Sequence, residues 1–357
     1  MEDQAINTLE QMQLAGHEQV TFFHDPASGL RAIIAIHSTA LGPALGGCRV
    51  WPYESEEAAL NDVIRLSRAM TYKNAAMGLP LGGGKAVIIA DSGVDKTPAL
   101  FEAFGRAVER LGGRYITAED VGTEPEDMEA VKRHTSHVAG LPDTSGDPSP
   151  ATAFGIYSGI RASLKHASGS DDLKGKRVAV QGLGAVGMSL CEFLVNDGAS
   201  IIVTDIAQKR IDHAVSELGA EAVPSDAIYD VDCDVFAPCA LGAVVNDLTV
   251  PRFKAKVIAG SANNQLAEPR HADALRERGI LYAPDFIING GGVMNIADEL
   301  LPGGYNRERA YANIRTIGDK VARALELADE LDISTDAAAT IMAQERLQAA
   351  EASAANG

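Results

Sequence analysis

The chain has 357 residues, 46% of them hydrophobic and 22% charged, a length that suits two globular domains rather than one. Its formal net charge of -18 would repel nucleic acid and anionic membrane surfaces, so neither is an expected partner. Its four cysteines, Cys48, Cys191, Cys233 and Cys239, include no Cys-x-x-Cys pair and read as reduced thiols of a cytoplasmic protein. No apolar run reaches membrane-spanning length, and Met1-Glu2-Asp3-Gln4 lacks the basic and apolar regions of a signal peptide.

Residues 18–24 and 31–37 read as two strands joined by Asp25-Pro26-Ala27-Ser28-Gly29, a hairpin with turn chemistry between apolar runs. From Ser55, an N-cap candidate, the pattern becomes helical to about Lys73, with Met70 and Lys73 on one face near its end. Leu81-Gly82-Gly83-Gly84-Lys85 follows. Three glycines running into a lysine read as main chain that can crowd a small ligand. A lysine there can hold a carboxylate, or, desolvated or beside another cation, lose its proton and act as a base. With Lys73 nearby, one anchor and one catalyst are expected. A nucleotide P-loop is excluded, because Leu79 and Ala86 occupy the places of its first glycine and its hydroxyl.

Ala86 to Ala90 reads as a buried strand, Pro98 to Leu111 as a helix and Tyr115 to Thr117 as a short strand. The proline- and glycine-bearing stretch 139–150 reads as the linker. After a helix from about Ala151, apolar strands at 177–181, 201–204, 234–237, 257–259 and 280–283 alternate with helices, the pattern of a parallel doubly wound sheet. Segments 306–328 and 335–351 read as helices. His134 and His137 have no acids or thiols at metal-ligand spacing, so no metal site is expected.

Gly182-Leu183-Gly184-Ala185-Val186-Gly187 fits G-x-G-x-x-G directly after one of those strands and opens a helix. Glycine there permits a tight turn and close approach of a pyrophosphate to the helix N-terminus. Asp205 ends the next strand, 23 residues after Gly182, where an acid can accept ribose hydroxyls and repel a 2'-phosphate. NAD is therefore the expected cofactor, with Lys209 and Arg210 the only nearby cations that would favour NADP. Pro238-Cys239-Ala240, Ser261-Ala262-Asn263-Asn264 and Asn289-Gly290-Gly291-Gly292 follow later strands, where ligands of such sheets bind.

These motifs lie in the order found in the glutamate/leucine/phenylalanine/valine dehydrogenase superfamily, which the chain resembles from about Glu18 to Arg346, most closely its leucine dehydrogenases. The resemblance rests on Leu41-Gly-Pro-Ala-Leu-Gly-Gly-Cys-Arg49, Met70-Thr-Tyr-Lys-Asn-Ala-Ala76, Leu81-Gly-Gly-Gly-Lys85, Thr117-Ala-Glu-Asp-Val-Gly122, Pro148-Ser-Pro-Ala-Thr152, Asp234-Val-Phe-Ala-Pro-Cys-Ala-Leu-Gly242 and Ala259-Gly-Ser-Ala-Asn-Asn-Gln265. It implies NAD-linked reversible oxidative deamination of an L-amino acid to its 2-oxo acid and ammonium, in a homo-oligomer.

The implied architecture is α/β in two domains separated by a cleft. Residues 1–140 with about 330–357 form an α/β substrate and oligomerisation domain, and 141–329 form the Rossmann domain. The implied catalytic residues are Lys85 and Asp120, with Lys73 and the backbone at Gly46 holding the carboxylate. Met70, Leu45, Ala118, Val293 and Ile296 line the substrate side. Thr152, Gly182, Gly184, Ala185, Val186, Gly187, Asp205, Cys239 and Ala240 line the cofactor side, and Asn264 serves both. Cys48 and Gly290 depart from the threonine and alanine common at those places. The apolar side-chain pocket implies leucine, isoleucine and valine as substrates. The alternatives are an aromatic amino-acid dehydrogenase of the same family and a non-catalytic nucleotide sensor.

Overall fold

Asp25 and Gly29 reverse the chain between its first two strands. Ser28 Oγ donates to the Asp25 carboxylate at 2.9 Å, and Gly29 adopts a φ of 76°, a left-handed conformation that glycine tolerates. The hairpin of β1 (Gln19–Asp25) and β2 (Leu30–Ser38) begins the first sheet of this computed structural model, which describes residues 7–355. Met1–Gln4, which bear on the signal-peptide question, lie outside the described residues. β3 (Ala44–Trp51), β4 (Gly82–Ile89) and β5 (Tyr115–Glu119) complete a five-stranded sheet of order β1-β2-β4-β3-β5. β2 is antiparallel to β1 and β4, whereas β3 is parallel to β4 and β5.

Alternation along the strands builds two cores. Val87, Ile33 and Ala35 face Ala59, Leu60 and Val63 of α2 (Glu56–Ala76), which follows the short α1 (Thr8–Ala15). Ala86, Ile88, Ile34 and Val50 face Phe101 and Phe104 of α3 (Pro98–Glu109) and Met128 and Val131 of α4 (Pro125–Lys132). Ser55 caps α2 by accepting the Ala58 N–H at 3.1 Å.

The glycine run is not a loop. Gly82, Gly83 and Gly84 are buried residues of β4 itself, and the space a Cβ would need is already filled by protein. A Cβ on Gly83 would lie 2.0 Å from the Thr71 backbone nitrogen, one on Gly82 2.0 Å from the Ser38 oxygen, and one on Gly84 2.8 Å from the Tyr115 ring. The glycines thus let α2 settle onto the strand that carries Lys85. Arg346 closes the far end of α2, donating to Ala75 O and Leu79 O at 2.8 Å each. At its near side the His17 ring is buried, with Nε2 2.8 Å from Ser67 Oγ and Nδ1 without a partner. Burial, then the neighbouring His37, pushes the His17 pKa down to about 4.

The chain divides into two compact units. The first comprises the described residues of Met1–Gly146, Glu299–Tyr305 and Ala343–Gly357, and the second Asp147–Asp298 and Asn306–Met342. These borders differ from 140/141 and 329/330. Leu141 belongs to the core of Phe101 and Phe104 in the first unit, and Gly140 and Ser145 donate their N–H groups to Glu299. Residues 330–342 stay with the second unit, where Ala338 packs on Leu327 and Ala328 and Thr335 Oγ1 donates to Tyr282 O at 2.6 Å.

The second unit holds α5 (Ser149–Ser168), β6 (Arg177–Gln181), α6 (Ala185–Asn196), β7 (Ser200–Thr204), β8 (Glu221–Ala222), β9 (Val235–Pro238), β10 (Val257–Ile258) and β11 (Leu281–Tyr282). The sheet is parallel throughout, in the order β11-β10-β9-β6-β7-β8. The chain winds outward from β6 in one direction and from β9 in the other, the Rossmann arrangement, so the switch point lies between those two strands. Segment 306–328 is two helices, Arg307–Arg315 and Ile317–Leu331. Thr316 separates them, its hydroxyl donating to Asn313 O at 2.6 Å and drawing off the carbonyl at the end of the first. Among the described residues no helix is long and apolar enough to cross a membrane.

Candidate active site

Lys85 shares with Val87 the face of β4 that α2 covers, and its side chain is only 7% exposed. Its Nζ lies 2.9 Å from Oδ2 of Asp120. Asp120 directly follows β5, in a turn held by Thr123: the Asp120 N–H donates to Thr123 Oγ1 at 2.9 Å, and that hydroxyl donates to Asp120 O at 2.7 Å. Gly47 makes room for the turn, since a Cβ there would sit 2.9 Å from the Asp120 Cβ. Burial pushes the Asp120 carboxyl up, but Lys85 and then Arg49 pull harder, and the net position is below the ordinary carboxylate value. Cys48, in the neighbouring strand, is fully buried and keeps its proton, its thiol pushed well up by burial.

Lys73 lies in the last turn of α2. Its neighbours fix that turn against the strands: Asn74 Nδ2 donates to Gly82 O at 2.6 Å, and Thr71 packs on Gly83. Met70 reaches toward Gly46, 3.2 Å from where a Cβ there would stand. Tyr115 OH donates to Gly46 O at 2.6 Å and fixes that peptide. Leu45 and Ala118 are both buried; Leu45 pairs with Gly83 and Ile116, and Ala118 with Gly47. The first unit therefore gathers Lys85, Asp120, Gly46, Met70, Leu45 and Ala118 around the edge where β3, β4 and β5 meet α2.

The remaining candidates belong to the second unit. Gly182 takes a φ of 99° beside Ala240, and Gly187 packs on Gly182 O, where a Cβ would lie at 2.0 Å. At Gly184 a Cβ would meet nothing within 4 Å, so this glycine fronts open space. Ala185 and Val186 begin α6, whose first turn has no side-chain cap and presents free N–H groups. Asp205 follows β7 and holds the loop, accepting Leu183 N–H at 2.6 Å and Ala207 N–H at 2.7 Å. Burial opposes its charge, but those two bonds and then Arg210 at 3.7 Å bring the carboxyl below its usual value.

Cys239 and Ala240 leave β9 at the switch point, where the Cys239 N–H donates to Gln181 O at 2.7 Å. Asn264 is exposed at a φ of 51°, a strained conformation for a residue with a Cβ. Thr152 gives its hydroxyl to Pro148 O at 2.9 Å, and Gly292 lets the helix Gly291–Ala297 pack on it. Val293 and Ile296 share a half-buried face of that helix. An uncapped helix start, open space at Gly184 and an acid on the adjoining loop fit a dinucleotide.

Within the first unit the fold also brings Arg49, Asp62, Tyr53 and Asn74 to the surroundings of Lys85 and Asp120, and none of them stands out in the sequence. Arg49 meets Asp120 across 71 residues of chain, so no local spacing marks the pair.

Among the described residues one group has the proximity of metal ligands: Asp247, Glu268 and His271. It does not suit a cation. The Arg270 guanidinium already bridges Asp247, at 2.7 Å, and Glu268, at 3.0 Å. His271 Nδ1 accepts the Glu268 N–H, which leaves Nε2 protonated toward Asp247.

Residues 17–137 match the family model described as Glu/Leu/Phe/Val dehydrogenase, dimerisation domain, and residues 145–208 and 203–355 match Glutamate/Leucine/Phenylalanine/Valine dehydrogenase. The chain belongs to this family. It is 56% identical over 346 residues to a leucine dehydrogenase of Geobacillus stearothermophilus, covering 96% of this chain and 94% of that one. It is 47% identical over 351 residues to a phenylalanine dehydrogenase of Caldalkalibacillus thermarum, again covering 96% and 94%. A solved L-tryptophan dehydrogenase from Nostoc punctiforme superposes with a TM-score of 0.86 at 42% identity, covering 96% of this chain and 99% of that one. As a Glu/Leu/Phe/Val dehydrogenase with a Rossmann-type unit, the chain is an amino-acid dehydrogenase that works on small molecules with a nicotinamide cofactor.

Proposed function

We propose that the chain catalyses the NAD-dependent, reversible oxidative deamination of L-leucine, L-isoleucine and L-valine to their 2-oxo acids and ammonium. The observation that carries this reading is the Lys85–Asp120 pair at 2.9 Å, its lysine buried, beside the turn of α2 that bears Lys73. A nucleotide sensor needs no such acid-base pair.

In the forward direction the Lys73 ammonium and the Gly46 backbone hold the substrate carboxylate, and NAD, when bound, accepts the Cα hydride. Lys85 then serves as the base that takes a proton from the water adding to the resulting imine carbon. Asp120 accepts and returns protons as the amine is protonated and leaves as ammonia, and the hydroxyl collapses to the carbonyl. The balance is amino acid, NAD⁺ and water to oxo acid, NADH, ammonium and a proton.

For the cofactor, Asp205 favours NAD, because a 2'-phosphate would meet its charge. For the substrate, leucine dehydrogenases at 53–56% identity over 96% of the chain support the branched-chain class. Leu45 and Ala118 in the first unit, and Val293 and Ile296 in the second, are all apolar, and none offers a cation to a second carboxylate, so glutamate should react poorly. The aromatic alternative rests on the phenylalanine dehydrogenases at 47% identity. A homo-oligomer in the cytoplasm completes the proposal, and sedimentation of the purified protein checks its assembly. The deciding experiment is NADH formation at alkaline pH with a panel of L-amino acids. Leucine, isoleucine and valine should lead in kcat/KM, and phenylalanine or tryptophan ahead of leucine and valine would overturn the substrate assignment.

A further inference from the structure

The Lys85–Asp120 pair does not stand alone. Asp120 Oδ2 receives Lys85 Nζ at 2.9 Å and Arg49 Nε at 3.0 Å, so two cations share one oxygen. Asp120 Oδ1 takes no hydrogen bond among the described residues. Arg49 is itself anchored from behind: its Nη1 donates to Asp62 Oδ2 at 2.9 Å. Asp62 is saturated in turn, by Tyr53 OH on the same oxygen at 2.6 Å and by Arg65 on Oδ1 at 2.7 Å. Arg49 and Asp62 are both mostly covered, with side chains 21% and 16% exposed. A bifunctional guanidinium suits this place, because one planar fork spans two carboxylates that a lysine could reach only one at a time.

The geometry points to Arg49 as a positioning residue for proton transfer: anchored on Asp62, it holds Asp120 with Oδ2 toward Lys85 and Oδ1 free to take the proton in transit. This rests on the catalytic reading of Lys85 and Asp120 proposed above. It adds that the pair's protonation is set by a third charge, which touches neither substrate nor cofactor.

The titratable groups around Asp120 are few. Lys85 faces it from β4 and Arg49 from β3. Cys48 and Tyr115 lie beneath it, and both keep their protons because burial pushes them up. Asp62 and Tyr53 face Arg49 rather than Asp120, and Arg65 lies behind them on Asp62. The sign of a charge deletion follows. Without the Arg49 charge, Asp120 is harder to keep ionised and Lys85 is the remaining cation in contact with it, so the pair releases its proton at higher pH.

The test is the pH dependence of kcat/KM for L-leucine oxidation in Arg49→Gln and Arg49→Lys, with thermal unfolding and NADH titration as controls. R49Q should move the midpoint of the activity rise up by about one pH unit and lower kcat by roughly 10–100-fold. KM for leucine and affinity for NADH should stay within about threefold. R49K, which keeps the charge, should return the midpoint to near the parent value and recover only part of kcat. If R49Q does not fold, R49K carries the test through its kcat loss at an unmoved midpoint. A parent midpoint in R49Q, or a loss confined to KM, overturns the inference while leaving the function intact. An inactive parent enzyme across the whole amino-acid panel overturns both.

Discussion

Glycine does opposite work in the two units. In the first, Gly83 and Gly84 make room for other parts of the protein, the Thr71 backbone and the Tyr115 ring. In the second, Gly184 faces space that no protein atom enters within 4 Å of where a Cβ would stand, at the uncapped start of α6. The same residue type thus marks packing in one place and, in the proposed function, a ligand berth in the other. At the lysine site helix and strand are pressed together, whereas the space in front of Gly184 is left unfilled.

The largest effect expected belongs to the packed side. Lys85→Ala should cut turnover by roughly 10²–10⁴-fold while NADH still binds, whereas Lys73→Ala should chiefly raise KM for the amino acid. Near-normal turnover in K85A would remove the chemical half of the contrast.

The glycines test it directly. Gly83→Ala forces a Cβ into the Thr71 backbone and should lower stability by about 1–3 kcal/mol or more, seen as a reduced urea midpoint, with activity falling alongside. Gly184→Ala has an ordinary extended backbone, φ -65°, and open space. It should unfold within about 0.5 kcal/mol of the parent but bind NADH roughly tenfold more weakly. Equal unfolding midpoints for the two variants would erase the distinction.

A smaller change is expected at Asp205, which holds the loop and, in the proposed function, meets the ribose. Asp205→Asn should narrow the NAD-over-NADP preference in kcat/KM by about tenfold, the order expected from removing one repulsive charge.

The smallest effect is a divergence with pH. His17, in the first unit, is held down to about 4, so between that value and 6.5 the unfolded chain binds more protons and acidification weakens the unit. Asp336, in the second, is pushed up to about 6 by burial and then by Asp285 and Asp273. Between 3.8 and 6 its folded form binds more protons, so acidification strengthens that unit. Each contribution is on the order of 1 kcal/mol after solvent screening. Fluorescence of Trp51, the single tryptophan, follows the first unit, and hydrogen exchange follows the second. Parallel loss of both on lowering the pH from 6.5 to 4 would contradict the assignment.

The second unit is the more legible in the sequence. Its strands are short apolar runs, and its glycine motif sits between a strand and a helix in continuous chain, so local pattern suffices. The first unit hides its central strands. β3 and the start of β4 are rich in glycine, which has no side chain to show period two, and Gly82–Gly84 therefore carry no strand signal. The glycine run does point to Lys85 and, with it, Lys73, but Asp120 and the division of roles come only from the family resemblance. The Arg49–Asp62–Tyr53 support is invisible, because polar residues scattered over β3, its following loop and α2 resemble an ordinary solvated surface until the fold brings them together. The break at Thr316 is equally silent, since a threonine inside a helical pattern carries no strong stop signal.

The grip of Arg346 on the end of α2 has a consequence in time. The helix that bears Lys73 is made early, yet the side chain that satisfies its last carbonyls is encoded far downstream, beyond the whole of the second unit. At ribosomal speeds of about 5–20 residues per second, the interval between Gly146 and Arg346 is roughly 10–40 s. Throughout that interval the nascent first unit has an open helix end, and the second unit can finish folding before it. A chain arrested short of Arg346 would carry Lys73, Lys85 and Asp120 but lack the clamp on the helix that presents the first of them.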